Sequence, residues 1–146
     1  SIAGGKTPLS SMSPSIVLKD KKPYLAIGSA GGPRIITGTL QGIINAIDFD
    51  MNPEQLVNAP YVNCLTREQG LEAEFGISQD TLRLLEERGH KPVCIEADQA
   101  MSTMVNSVML KDGEYYAAGT KRVDGCGGVL LSNGNIILEG ISQEIS

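Results

Sequence analysis

The chain contains no tryptophan, and aromatic residues make up only 4% of its 146 residues. Proteins use aromatic side chains as platforms on which nucleobases stack, so this composition disfavours recognition of single-stranded nucleic acid. The formal net charge of −5 points the same way, because surfaces that bind a phosphate backbone are usually basic. We therefore expect no nucleic-acid partner.

Residues that commonly bind metals are also scarce. The chain has one histidine and three widely spaced cysteines, Cys64, Cys94 and Cys126, with no CxxC or Cys/His spacing. Without such spacing we expect no metal site and no cofactor. Free cysteine packs as a small apolar side chain, so we expect these thiols to be buried or half-buried.

No apolar run approaches the ~20 residues that a membrane-spanning helix needs. The first residues also lack the charged and apolar regions of a signal peptide. The localisation stays unassigned, although unpaired cysteines weakly favour a non-oxidising compartment. At 146 residues the chain is long enough for one core, and we expect residues 1–146 to form a single domain.

The most informative stretch is residues 28–34, Gly-Ser-Ala-Gly-Gly-Pro-Arg, which follows a strand-like run at residues 24–27. A strand that leads through glycines into a helix points backbone N–H groups at one place, and the helix N-terminus is electrically positive. The stretch therefore predicts a site for an anion or a developing negative charge. A tight turn without any ligand remains the alternative.

A strong helical pattern follows the glycines. Isoleucine and leucine recur at helical spacing from Ile36 to Ile47, which predicts a helix over residues 33–48. Few strongly polar residues interrupt this pattern, so we expect the helix to be buried on much of its surface. The expected stripe is formed by Ile36, Leu40, Ile43, Ile44 and Ile47 and is widened by Ile35 and Ala46.

Capping residues, turn residues and alternating apolar residues predict the other elements. Helices are expected after the capping residues Asn52 and Ser78. Strands are expected over residues 15–19, 61–65, 71–75, 91–96, 102–110, 115–119, 129–131 and 136–138. Grouped helices between groups of strands favour a layered α+β architecture over a repeated βαβ arrangement. The apolar tail strands are expected to be covered.

A serine-rich segment, residues 8–15, precedes the first strand. Such composition is typical of a linker. Alternatively, the adjacent hydroxyls of Ser10 and Ser11 on a proline-bounded turn can both donate hydrogen bonds to one carboxylate or phosphate.

The serine pair and the glycines together resemble the small subunit of gamma-glutamyltranspeptidases. Gly31 follows Ser10 by 21 positions, and further similar motifs come in the same order along the chain. These motifs are residues 8–12, 31–32, 34–36, 52, 58–60, 78–82, 85–89 and 122–125. The resemblance covers residues 7–128, whereas residues 129–146 form an extension that is unusual for the family.

The resemblance implies part of a four-layer αββα sandwich of the N-terminal-nucleophile (Ntn) hydrolases. Such enzymes cleave their own precursor and use the exposed N-terminal threonine to attack glutathione or another γ-glutamyl donor. Ser10 and Ser11 are then expected to bind the donor's α-carboxylate, and the N–H groups of Gly31 and Gly32 to form the oxyanion hole. The acceptor is an amino acid, a peptide or water.

The chain departs from the family pattern in one important way. The threonine nucleophile lies several tens of residues upstream of the serine motif, and no such segment is present. Ser1 lies only nine residues before Ser10, so we do not expect it to act as the nucleophile. Ala30 stands where the family usually has proline. We expect a C-terminal part of a small subunit, inactive alone, whose partners are the large subunit and the upstream part of the small subunit.

Two other functions remain open for the same residues. Related Ntn amidases act on poly-γ-glutamate or on cephalosporin side chains. A non-catalytic family member that binds acidic ligands is the alternative from a different class.

Overall fold

The computed structural model describes residues 2–66, 68, 70–95 and 103–138 of the chain. Within these residues there are nine strands and three α-helices. The strands are β1 Ser15–Lys19, β2 Lys22–Ala30, β3 Val62–Asn63, β4 Leu71–Glu74, β5 Pro92–Ile95, β6 Met104–Lys111, β7 Glu114–Gly119, β8 Gly127–Leu130 and β9 Ile136–Leu138. The helices are α1 Ile35–Ile47, α2 Pro53–Asn58 and α3 Gln79–Glu87.

Six strands form an antiparallel sheet in the order β1-β2-β6-β7-β8-β9. The β1–β2 hairpin turns at Asp20 and Lys21, with φ of 51° and 64°, and the β6–β7 hairpin turns at Asp112 and Gly113, with φ of 54° and 84°. Two successive residues with positive φ match the twist of the flanking strands. These turns therefore set the register of both hairpins.

The core lies between this sheet and the helices α1 and α2. Leu25 and Val105 of the sheet and Leu56 and Val57 of α2 are at most 1% exposed. Full burial of such a side chain stabilises the fold by about 1.5–3 kcal/mol. The capping box predicted at the start of α2 is present, since the side chains of Asn52 and Gln55 each accept a backbone hydrogen bond from the other residue.

The helix predicted over residues 33–48 is confirmed, but the prediction of its buried face is wrong for three residues. Ile36, Leu40 and Ile47 are each more than half exposed, whereas Ile43 and Ile44 are half-buried and Ile35 and Ala46 are buried. The helix instead packs on the sheet through a stripe of smaller residues that includes Gly38, Gly42 and Ala46. A Cβ atom at Gly42 would lie 2.5 Å from Cδ1 of Ile27, so a larger residue there would require the Ile27 side chain to shift.

A second, smaller sheet has the order β3-β4-β5. β3 and β4 are antiparallel, but β4 and β5 are parallel and are connected through α3. The layered α+β architecture is therefore confirmed, and the smaller sheet contains a single βαβ unit rather than a repeated βαβ arrangement. Ser78 caps α3 as predicted, because its hydroxyl accepts a hydrogen bond from the Thr81 N–H.

Two predictions about burial fail elsewhere. Cys64, Cys94 and Cys126 are all exposed rather than buried. The tail hairpin forms as β8 and β9, but Ile136 and Ile137 at its end are 40% and 55% exposed, so the expected cover is missing. Residues 139–146 of the predicted extension lie outside the described residues. None of the described helices has the length and hydropathy needed to cross a membrane.

Candidate active site at the glycine turn

The turn between β2 and α1 consists of Gly31 and Gly32. β2 extends to Ala30 and pairs there with Met104 of β6, so the glycine-rich stretch is mostly strand and the turn is shorter than expected. Gly31 and Gly32 have φ of 135° and 60°, a range that other residues rarely adopt. A Cβ atom at Gly32 would meet nothing within 4 Å, so a ligand can approach the backbone here.

A single 3-10 turn, Gly32–Arg34, joins the glycines to α1. Pro33 is its second residue, and the Arg34 N–H donates to the Gly31 carbonyl at 3.3 Å. No acidic residue lies in the first turn of either helical segment. The positive end of α1 therefore faces the glycine turn without a carboxylate to neutralise it.

The Arg34 side chain is held by Glu72 of β4. Arg34 Nε donates to Glu72 Oε2 at 2.7 Å, and Nη2 donates to Oε1 at 2.6 Å. Asn63 Nδ2 donates to the same Oε2 at 2.9 Å. The guanidinium of Arg34 lowers the pKa of the Glu72 carboxyl, and this hydrogen bond in turn raises the pKa of Arg34. Both groups are charged at neutral pH.

Polar residues on α1 extend this contact toward β3. The Thr37 hydroxyl lies 2.8 Å from Asn63 Oδ1 and 3.0 Å from the Arg34 carbonyl. One turn further, the Gln41 amide bonds both the N–H and the carbonyl of Val62. Arg34, just before α1, and two successive turns of α1 are thus tied to the smaller sheet.

A second ion pair, between Arg122 and Glu74, is more deeply buried. Their side chains are 14% and 7% exposed, and Arg122 Nη2 lies 2.5 Å from Glu74 Oε2. Arg122 also donates to the carbonyls of Val57 and Ala59, and its guanidinium lies over the Tyr61 ring. Burial raises the pKa of the Tyr61 hydroxyl, which donates to the Leu56 carbonyl. This pair joins the segment after β7 to α2 and β4.

The serine pair lies in an extended segment before β1, where Ser10 is exposed and Ser11 is half-buried. Ser10 Oγ accepts a hydrogen bond from the Met12 N–H at 3.3 Å. Strand pairing between β1 and β2 begins with Ser15 opposite Ile27. The pairing stops there, and none of the described hydrogen bonds joins Ser10 or Ser11 to Gly31 or Gly32. The serine pair and the glycine turn both lie beyond the open end of the hairpin.

The sequence interpretation missed both ion pairs. The partners are separated by 38 residues for Arg34 and Glu72 and by 48 residues for Arg122 and Glu74. The only local signal is that Glu72 and Glu74 alternate with apolar residues on one strand. In the described part of the chain, no cluster of three or more His, Cys, Asp or Glu side chains could hold a metal ion.

Similarity to solved structures identifies the class of protein. The chain matches the structure of the Helicobacter pylori gamma-glutamyltranspeptidase T380A mutant with a TM-score of 0.73 and 37% identity. The match covers 83% of this chain and 66% of that chain. The α+β fold is therefore that of an Ntn hydrolase.

The gamma-glutamyltranspeptidase family model matches residues 1–129, and the chain belongs to this family. It is 42% identical over 121 residues to the glutathione hydrolase proenzyme of Escherichia coli K12, covering 83% of this chain and 20% of that protein. It is also 35% identical over 125 residues to the acylase ACY 1 proenzyme of Pseudomonas sp. strain SE83, covering 86% and 22% respectively. The chain thus spans about a fifth of the length of these curated relatives.

Proposed function

We propose that this chain is part of a longer polypeptide, called the parent protein below, that transfers or hydrolyses the γ-glutamyl group of glutathione and related amides. The observation that carries this proposal is the open two-glycine turn at the positive end of α1. In it, the N–H groups of Gly31 and Gly32 form the oxyanion hole. The relatives named as glutathione hydrolase proenzymes support the choice of substrate.

The reaction is acyl transfer through a covalent intermediate. A threonine hydroxyl from outside residues 1–146 attacks the γ-carbonyl carbon, and its proton passes through the threonine's own α-amine to the leaving amine. The carbonyl oxygen becomes negative as the new C–O bond forms, and the C=O bond is restored when the C–N bond breaks. Water or an acceptor amine then releases the γ-glutamyl group. Loss of one oxyanion donor typically raises such a barrier by about 3–4 kcal/mol.

Ser10 and Ser11 bind the α-carboxylate of the donor in this proposal. Two hydroxyls can donate to the two oxygens of one carboxylate. The β1–β2 register supports the assignment, because it brings this segment toward the same end of the hairpin as the glycine turn. The α-carboxylate and the scissile amide of one donor can then be held together.

The exposed apolar surfaces support a partner for this chain. The sheet face opposite α1 and α2, called the far face, carries Ile16, Val108, Tyr115, Leu130 and Ile136, each at least 39% exposed. Contiguous apolar surface of this kind marks an interface. In the proposed αββα sandwich, the large subunit and the upstream part of the small subunit cover the far face and the exposed stripe of α1.

A related amidase is the second candidate, favoured by the similarity to the acylase proenzyme. The serine pair distinguishes the two candidates, because a donor without an α-carboxylate gains nothing from it. The parent protein is therefore assayed with a chromogenic γ-glutamyl anilide and with a cephalosporin amide. Preference for the anilide supports the proposed function. Preference for the cephalosporin favours the amidase, and absence of turnover on both favours a binding protein.

The fragment and the turn are tested in the same assay. We expect no turnover by residues 1–146 alone, because the nucleophile lies elsewhere. Turnover by the purified chain would contradict that assignment.

In the parent protein, Gly32→Ala is expected to lower kcat by roughly 100-fold, since a shift of about 1 Å at the reacting atoms has an effect of this size. Gly89→Ala is the matched control, because Gly89 also has a positive φ, 87°, and its Cβ position is equally open. Both variants impose similar backbone strain, so both should lower the melting temperature similarly. Equal kcat values in the two variants would refute an oxyanion role for the turn.

A further inference from the structure

We propose that Glu72 is a positioning residue for the oxyanion turn and that it acts through Arg34. The inference rests on the proposed function, since it concerns the orientation of the Gly31 and Gly32 N–H groups. Glu72 lies on β4 of the smaller sheet, whereas the turn joins α1 to the larger sheet.

The first step runs from Glu72 to the Arg34 side chain. The two parallel hydrogen bonds, at 2.7 and 2.6 Å, fix the planar guanidinium in direction as well as distance. A single bond or a lysine at this position would leave the group free to rotate. The carboxylate therefore sets where the Arg34 side chain lies relative to β4.

The second step runs from the Arg34 side chain to its own backbone. Glu72 accepts from Asn63, and Asn63 lies within hydrogen-bond distance of Thr37, whose hydroxyl also reaches the Arg34 carbonyl. Because the Thr37 hydroxyl has a single proton, it donates to one of these two acceptors at a time. Arg34 is thus held through its side chain by Glu72, and its carbonyl is held whenever Thr37 donates to it.

The third step runs from the Arg34 backbone to the glycines. The Arg34 N–H donates to the Gly31 carbonyl, and only Gly32 and Pro33 lie between them. The Gly31 carbonyl and the Gly32 N–H belong to the same planar peptide unit, so fixing one orients the other. Glycine has no side chain to limit this rotation, so the constraint from Arg34 is needed there.

The ion pair is only partly buried. The side chains of Arg34 and Glu72 are 29% and 22% exposed, so solvent screens the pair and can hydrate whichever partner is left after a substitution. We therefore expect the pair to affect the orientation of the turn more than the free energy of unfolding. Loss of Glu72 should change the chemistry more than the fold.

The test is kinetic analysis of Glu72→Gln in the parent protein with a γ-glutamyl anilide. Glutamine keeps the size of the side chain but removes the charge and one acceptor. We expect kcat to fall at least about 10-fold, in line with the sensitivity of catalysis to small displacements, with KM changed less than about twofold. Asp80→Asn is the matched control, since it neutralises an exposed carboxylate paired with Arg83 on α3, and it should leave kcat unchanged.

A double-mutant cycle tests the path through Arg34. If Glu72 acts through Arg34, the Arg34→Gln/Glu72→Gln variant has a kcat no lower than that of the worse single variant. Multiplied losses would mean separate roles and would overturn the inference. Should Glu72→Gln fail to fold, Glu72→Asp keeps the charge, shortens the reach and should give an intermediate loss of kcat.

The remaining outcomes separate the two proposals. An active parent protein in which Glu72→Gln has the wild-type kcat, or loses activity only through KM, overturns the positioning role and leaves the proposed function standing. A correctly folded parent protein without γ-glutamyl activity overturns the proposed function and this inference together.

Discussion

The two halves of the candidate site are held by different means. The glycine half, Gly31 and Gly32, is fixed by α1, which packs closely on the larger sheet and is tied to the smaller sheet through Arg34. In the serine half, Ser10 and Ser11, the described hydrogen bonds join residues only two positions apart. The glycine half is thus organised by this chain itself. Under the proposed function, we expect the serine half to take its final position from the donor or from the proposed partner subunit.

The largest effect on the free energy of unfolding is expected at β4, the strand on which the glycine half depends through Arg34 and Glu72. Arg122→Met leaves Glu74 buried without its ion-pair partner, and breaking a buried pair in this way costs about 3–5 kcal/mol. Urea unfolding of the parent protein, followed by circular dichroism, measures the change. Lys121→Met is the control, because the neighbouring Lys121–Glu54 pair is exposed and contributes only about 0–1 kcal/mol. Equal losses in both variants would contradict the structural role of the buried pair.

An intermediate effect is expected where α1 meets the larger sheet. A Cβ atom at Gly38 would clash with the Thr103 side chain, so Gly38→Ala should push the helix away and cost about 1–3 kcal/mol. Because α1 carries the turn, kcat should fall as well. Gly4→Ala is the control, since nothing lies within 4 Å of that Cβ position. Unchanged stability of the Gly38→Ala variant would show that α1 does not pack on the larger sheet closely enough to fix the glycine half.

The smallest effect on stability is expected in the serine half. Ser10→Ala and Ser11→Ala should each change the free energy of unfolding by less than about 0.5 kcal/mol, as is usual for surface substitutions. A lost hydrogen bond to a charged group is worth about 1.5–3 kcal/mol, so KM for the γ-glutamyl donor should rise roughly 10-fold or more. Ser15→Ala serves as the control. A large loss of stability, or an unchanged KM, would contradict the view that the serine half binds the donor but, unlike the glycine half, contributes little to the fold.

Local patterns were enough to predict most elements. The bounds of α1, the cap of α2, the cap of α3 and the tail hairpin follow from residues within a few positions of one another. Burial was predicted less well. The stripe of Ile36, Leu40 and Ile47 has the spacing of a buried face, yet these side chains are exposed because glycines at positions 38 and 42 bring the opposite face closer to the sheet.

The sequence alone determined the glycine turn, the helix behind it and the family resemblance, because these depend on short-range chemistry and on the order of motifs. Only the tertiary structure showed that Glu72 and Glu74, two residues apart on β4, hold Arg34 and Arg122 respectively. Such pairings depend on which strand folds beside which helix, and no local pattern encodes a contact across about 40 residues. The anchoring of the glycine turn is therefore a property of the folded chain.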